Sequence, residues 1–439
     1  MKKRSMYAMS TVMSVLLLAG CGNGNGNDTV GEGAVSPSAS ASASESAAAP
    51  VEPVTLNIFS SSVETAEAFN LLKKDYEATH PGVTLEIASQ VTDTYYTSLK
   101  TKFAAKEMPD LFAMTGFNGM STWVEHLEDL SNEPWVSDMV DTAKPGATFD
   151  GKLYGFPMSV MGTGYLYNKD LFAKAGIDKA PSTLTELKDA VEKLKVAGIT
   201  PFVVPYGSWY NPGNFSAENP MSKQAEPDQF MADLTNGTAK FSDNAVYQDW
   251  LNNVELELAN AYGNPLTVDY NGQITAFATG QGAMTTGCNC SQLLIDEITP
   301  NMNIGIMPMP INDDAELNGK ISTEVPGYWV ISKDSEVKEQ AKEFLKWFST
   351  DGAHYISDEF KFVPAFKSMA VDPAKLGALG TDLKTYVDEG KMLTGTKAKF
   401  PDGVTADFGA SLQKLASGKI DKAQMLEEFQ TAWEKASKK

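Results

Sequence analysis

The sequence predicts an α/β protein built around a parallel sheet, and three observations point to that class. From Val54 onward, short β-type runs alternate with amphipathic helical stretches. Strand, helix, strand, helix and strand follow one another between Val54 and Met114, the order that right-handed βαβ units require. The body from Val54 to Lys439 is also long enough for two domains, because chains above about 250 to 300 residues usually split.

The elements can be justified in order. Val54-Thr55-Leu56-Asn57-Ile58-Phe59 reads as a strand, followed by the polar Ser60-Ser61-Ser62. Ala66, Phe69, Leu72 and Tyr76 then fall close to one face of a helix. Pro81-Gly82 turns the chain into a second strand from Val83 to Ile87. A second helix carries Tyr95, Leu99 and Phe103, and Pro109 to Met114 leads into a third strand. At the carboxyl end Leu412, Leu415, Ile420, Met425, Leu426, Phe429 and Trp433 recur at helical spacings, with Gly418 as a break.

Residues before Val54 read differently. Lys2, Lys3 and Arg4 precede an apolar run from Met6 to Leu18, and Leu18-Ala19-Gly20 leads into Cys21. This is the layout of a secretory signal, and the run is shorter than the roughly 20 apolar residues of a membrane span. It resembles a bacterial lipobox, which implies a signal peptide over residues 1–20 and an acylated Cys21 that anchors the chain to the outer face of the cell membrane. Residues 21–53 pass through Gly-Asn and Ser-Ala repeats with Pro37, Pro50 and Pro53 and contain little that could be buried, so a flexible linker is expected there.

The formal charge of the chain is -20, and removing Lys2, Lys3 and Arg4 with the signal makes it -23. So acidic a surface repels phosphate backbones and anionic lipid, which argues against nucleic-acid and peripheral membrane binding. With Cys21 acylated, Cys288 and Cys290 remain, one residue apart. A reduced pair packed in a loop is expected, with a strained disulfide or a metal-ligand pair as alternatives.

Catalytic signatures are missing. The chain has no G-x-S-x-G elbow, no H-E-x-x-H, no P-loop and no G-x-G-x-x-G after a strand. His80, His126 and His354 are scattered and read as surface residues, and no spacing singles out a carboxylate pair for glycoside hydrolysis. No cofactor is expected. A binding site finds more support, because sugar rings need flat aromatic platforms beside short polar groups. Ser61, Ser62 and Glu64 follow the first strand, where ligands of open parallel sheets bind. Phe117 and Asn118 follow the third strand in a glycine-containing loop. Tyr206 to Asn211 follows the apolar run Pro201 to Val204 and offers Tyr206 and Trp209, while Tyr328 and Trp329 open a later strand. Trp123, Trp250, Trp347 and Trp433 lie in helical patterns and are expected in the core.

Several ordered segments resemble the extracellular solute-binding proteins of ABC importers, in the carbohydrate branch that includes maltose-binding protein. They are Asp150 to Pro157, Gly164 to Phe172 with Ala175-Gly176-Ile177, Ala276 to Gly287, and Lys338 to Phe348. The resemblance spans nearly all of residues 54 to 435 and implies a two-lobed periplasmic-binding-protein-like fold of type II, with a hinge and a ligand cleft between lobes. It implies crossings near Met158 to Gly162, Leu317 to Val325 and Val363 to Met369. The first lobe would combine residues 54–160 and 322–364, the second 162–317 and 368–439. Carried over position by position, it adds Asn289, Asp407 and Phe408 to the cleft contacts. Where family members place a tryptophan, this chain has Cys288-Asn289-Cys290. The resemblance further implies a monomer that passes a sugar or oligosaccharide to the transmembrane subunits of an ABC permease. A secreted glycoside-active enzyme and a sugar-sensing receptor subunit are the alternatives.

Overall fold

Val54–Ser60 (β1) and Val83–Ser89 (β2) pair in parallel and in register over their whole lengths in the computed structural model, which describes residues 53–61, 65–90 and 92–438. The intervening helix Ala66–Thr79 buries Ala68, Phe69, Leu72 and Tyr76. A second helix, Thr92–Ala105, brings the chain to Leu111–Met114 (β3) on the other side of β1, completing the expected βαβαβ unit. Thr148–Phe149 (β4) and Lys152–Leu153 (β5) form a hairpin turning through Asp150 and Gly151, both at positive φ, and Phe156–Pro157 (β6) follows at the edge of the first sheet.

The chain leaves the first sheet at Met158. Ser159–Asn168 (β7) is the spine of a second sheet that also contains Phe202–Val203 (β8), Met284–Cys288 (β9), Ile304–Met307 (β10) and Ile321–Glu324 (β11). After Val325-Pro326-Gly327 the chain returns, and Tyr328–Ile331 (β12) lies antiparallel between β3 and β6. Val363–Pro364 (β13) pairs with Val160 and Ser159 at the start of β7, and Met392–Thr394 (β14) pairs with β11. The sheet orders are β2-β1-β3-β12-β6 and β14-β11-β7-β9-β8. One expected boundary moves: Ser322 and Thr323, expected in the first lobe, continue the ladder of β11 onto Thr163 and Gly162 of β7. The return therefore begins after Glu324.

Each sheet has its own core. Leu56, Phe112, Trp329, Phe344 and Phe348 belong to the first, and Trp250, Phe408, Phe429 and Trp433 to the second. A smaller cluster, including Ile274, Ile321 and Leu379, flanks β7 and β10. Trp123, Trp250, Trp347 and Trp433 are all buried, as expected, although Trp123 sits in a turn rather than on a helix. The carboxyl-terminal pair of helices, Val404–Ala416 and Lys422–Ser437, separates at Gly418, whose φ of 69° is readily available only to glycine. Among the described residues no helix is long and apolar enough to cross a membrane.

The second core contains a buried carboxyl group. The Tyr165 hydroxyl lies within hydrogen-bond reach of two side-chain oxygens, Glu257 Oε1 and Asn253 Oδ1. Asn253 donates its Nδ2 to the Pro310 carbonyl at 3.0 Å, which leaves its Oδ1 as the acceptor for the single tyrosine proton. Burial pushes the Glu257 carboxyl up to about 7. Protonated, Glu257 donates to the Tyr165 oxygen and completes a satisfied chain of hydrogen bonds.

Candidate ligand cleft

Between the two cores lies a cavity of about 550 Å³. Small-molecule sites typically occupy about 300 to 1,000 Å³. Its walls come from the carboxyl ends of β1 and β3, the crossing at Met158 to Met161, the loop after β9, and the return at Glu324 to Gly327. This is where side chains reach beyond the strand ends of an open parallel sheet.

The first lobe contributes Ser60 and Ser61, Thr115 and the ring of Tyr96. The Tyr96 hydroxyl donates to Thr115 Oγ1 at 3.2 Å and accepts from the Thr115 amide at 3.1 Å, so the ring is held in one orientation. The second contributes Tyr210, Asn214, Phe215 and Tyr270. Asn214 Nδ2 donates to the Tyr210 carbonyl at 2.9 Å, and the neighbouring Asn211, buried, donates to Gln273 Oε1 and the Thr286 carbonyl. These bonds fasten the turn that presents the Tyr210 ring.

A charged pair stands on the cleft wall. Lys397 Nζ is 2.6 Å from Glu324 Oε1 and 5.4 Å from the centre of the Phe215 ring. Burial, the largest single influence, would lower the Lys397 pKa, but Glu324, Tyr210 and Glu218 together outweigh it and the net shift is upward. Behind this pair the buried Glu218 accepts from the Thr396 amide at 2.9 Å and from the hydroxyls of Ser322 and Thr396, and its own carboxyl is pushed up by burial. Among the described residues lining the cleft, Glu324, Lys397 and Asp402 sum to one negative charge.

The expected contacts divide. Ser61, Asn118, Asn289 and Trp329 line the cavity. Asn289 Oδ1 accepts from the Gly162 amide of β7 at 2.9 Å, tying the loop after β9 to the crossing strand. Asn118 sits at the rim, where Nδ2 donates to the carbonyls of Lys399 and Phe400, each at 3.2 Å, and so links the two lobes. Phe117 is beside it rather than in the cavity, at a φ of 53° that a bulky residue rarely adopts, with Lys399 Nζ 5.1 Å from its ring centre. Ser62 and Glu64 lie outside the described residues.

Six expectations are corrected. Tyr206 is 1% exposed: its ring turns inward beside Tyr165 and Glu257, because the turn continues the buried run of β8. Trp209 is 41% exposed and outside the cavity, edge-on to Tyr210, which takes the position instead. Tyr328 fills space left by Gly116, Gly146 and Gly155, where an added Cβ would come within 2.8, 2.5 and 2.7 Å of its side chain, and its hydroxyl donates to the Ala143 carbonyl. Phe408 stacks on Phe429 at 3.9 Å in the second core, and Asp407, one residue earlier on the same helix, faces solvent. Cys288 and Cys290 are joined as a disulfide instead of a reduced pair, their Cα atoms 5.1 Å apart across a tight turn. Trp329 also needs qualification: it touches the cavity but is 2% exposed, stacked among Phe69, Phe344 and Phe348, and serves as a rear wall.

Two lobes around a polar and aromatic cleft define the architecture of a binding protein, and the relatives agree. Residues 60–355 match the bacterial extracellular solute-binding protein family, and the chain belongs to it. It is 31% identical over 157 residues to binding proteins of Brucella abortus and Brucella suis, a match covering 35% of this chain and 38% of theirs. It is 24% identical over 316 residues to the melibiose/raffinose/stachyose-binding protein MelE of Bacillus subtilis, covering 69% of this chain and 72% of that one. Among solved structures, RafE in complex with raffinose superposes with a TM-score of 0.75 at 19% identity, covering 87% of this chain and 99% of that one. A sugar transporter from Bacillus licheniformis in complex with stachyose superposes with a TM-score of 0.68 at 21% identity, over 87% and 100%. These two likenesses establish the two-lobed fold.

Proposed function

We propose that this chain captures a neutral sugar or short oligosaccharide in the interlobe cleft and presents it to an ABC permease, without transforming it. The observation that carries this reading is the cleft wall itself, where the rings of Tyr96, Tyr210 and Tyr270 stand among hydroxyl and amide groups contributed by both lobes. Aromatic faces suit the C–H faces of sugar rings, and the polar groups suit their hydroxyl rims. The excess negative charge among the described lining residues disfavours sugar phosphates and uronates. Relatives named for melibiose, raffinose and stachyose and for multiple sugars support the ligand class. Capture would proceed by hinge closure about the segments near Met158, Val325 to Gly327 and Val363 to Phe366, with lobes of residues 54–157 and 328–362 against 159–324 and 373–438. Contacts made from both lobes favour the closed state through their differential affinity.

The experiment is a thermal-shift screen of neutral mono- and oligosaccharides against sugar phosphates. A ligand at 100 times its dissociation constant stabilises its binding state by about 2.7 kcal/mol. A clear rise in melting temperature is expected with at least one neutral sugar and none with phosphates. Stabilisation by phosphates alone, or breakdown of the sugar during incubation, would contradict the reading.

Residues 1–52 lie outside the described residues, so the lipid anchor rests on the order of charge, apolar run, small residues and Cys21. Cys21→Ser is expected to release the protein from the membrane fraction with ligand binding intact. A variant that stayed membrane-bound through a salt wash would point to another anchor.

A further inference from the structure

The disulfide between Cys288 and Cys290 is embedded in the cleft. Both residues line it, Cys288 is buried and Cys290 is half-buried. The turn they close holds Asn289, which is 1% exposed, lines the same cavity, and accepts the Gly162 amide through Oδ1. Gly162 belongs to β7, the strand by which the chain enters the second sheet, and β9 runs alongside it with Cys288 opposite Thr163. Two residues beyond the bridge, Gln292 Oε1 accepts the Leu379 amide at 2.9 Å, and Gln292 carbons pack where a Cβ on Gly377 would come within 2.7 Å. One short turn therefore touches the cavity, the crossing strand and the helix Pro373–Asp388.

From this placement we infer that the Cys288–Cys290 bridge is a ligand-affinity element: it locks the turn that aims Asn289, and opening it weakens ligand capture. The argument is entropic and local. A ring closed by residues two apart removes little chain entropy from the unfolded state, less than the roughly 3 kcal/mol of a 15-residue loop, so global stability is a minor consequence. What the ring does restrict is the backbone of Asn289, whose freedom otherwise has to be lost each time ligand binds. Pre-organisation then acts on affinity and on the Asn289–Gly162 bond, and scarcely on folding.

The chemistry of opening is ordinary thiol–disulfide exchange with a dithiol reductant. One thiolate of the dithiol attacks Cys290 Sγ, on the less buried of the two residues, and the S–S bond breaks with Cys288 leaving as a thiolate that takes up a proton. The second thiol of the reagent, as its thiolate, attacks the mixed disulfide, releases Cys290, which is protonated in turn, and forms the cyclic oxidised reagent. Two electrons and two protons pass to the protein.

The sugar arm of the test rests on the carbohydrate reading above, so a second arm is independent of ligand. The full chain is compared before and after dithiothreitol, together with Cys288→Ser/Cys290→Ser and with raffinose as the probe. Mass mapping after alkylation should find both thiols blocked before reduction and free afterwards. Hydrogen exchange at the Gly162 amide should accelerate at least several-fold on reduction, with the melting temperature nearly unchanged. Raffinose affinity should fall about tenfold, and the double variant should match the reduced parent and ignore reductant. If raffinose binds neither form, the choice of sugar fails, and the exchange arm still decides: acceleration supports the inference and its absence overturns it. Free thiols in the untreated protein, or equal raffinose affinity in both states of a protein that binds it, also overturn it.

Discussion

Trp329→Ala will destabilise the first lobe by about 3 to 5 kcal/mol, the range for truncating a large aromatic side chain in a packed core. The ring stacks against Phe69, Phe344 and Phe348, with centroids 5.6 to 5.7 Å away, and all four side chains are at most 2% exposed. Neighbouring helices cannot collapse into the space without breaking the register of β12 against β3 and β6. Urea unfolding should show the loss as a lower midpoint with little change in slope. A loss below about 1 kcal/mol accompanied by a large drop in ligand affinity would mean that the ring is a ligand platform and not a wall.

Glu257→Gln will change how stability depends on pH. Glutamate in an unfolded chain titrates near 4.3, and burial holds the folded group up to about 7. Between those values the folded state keeps a proton that the unfolded state has released, so stability is greatest at the acid end and falls as pH rises through the folded value. The full loss is roughly 4 kcal/mol for a shift of this size. The other ionisable groups facing Glu257 are Tyr165 and Tyr206, both pushed upward by burial, so neither titrates in this window. Glutamine preserves a donor to the Tyr165 oxygen and carries no titratable proton. Urea midpoints at pH 5 and pH 8 should therefore differ less for the variant than for the parent, and at pH 8 the variant should be at least as stable. Identical pH differences in both proteins would show that Glu257 is ionised when folded or that its partners relax around the charge.

How far the sequence could be read depended on periodicity. The βαβαβ unit was legible because β1 and the helix Ala66–Thr79 alternate or repeat their apolar positions cleanly, and the break at Gly418 was legible from composition. Tyr328 and Trp329 escaped because β12 is an interior strand covered on both faces, so both of two successive aromatics point into protein. In the turn after β8 there is no period to follow, and the aromatic residues were identified without the knowledge of which ring faces the cleft. Tyr206 goes in, Trp209 goes to solvent and Tyr210 faces the ligand space. Glu324 and Lys397 are 73 residues apart and meet only because β11 and β14 pair, a juxtaposition with no local signal. The disulfide was visible as a spacing, but whether the turn at Asn289 brings the sulfurs together depends on backbone geometry.

The central claim is that ligand binds between the lobes against the ring of Tyr210, and calorimetric titration of the parent, Tyr210→Ala and Trp209→Ala tests it most directly. With the strongest neutral sugar from the screen, the parent should bind one molecule per chain. Tyr210→Ala should lose about 1 to 3 kcal/mol of binding free energy, the range for a truncated anchor, and Trp209→Ala, whose ring is outside the cavity, should lose less than about 0.5 kcal/mol. The reverse order, or a Tyr210 variant that binds as tightly as the parent, would contradict the account and move the ligand out of this cleft.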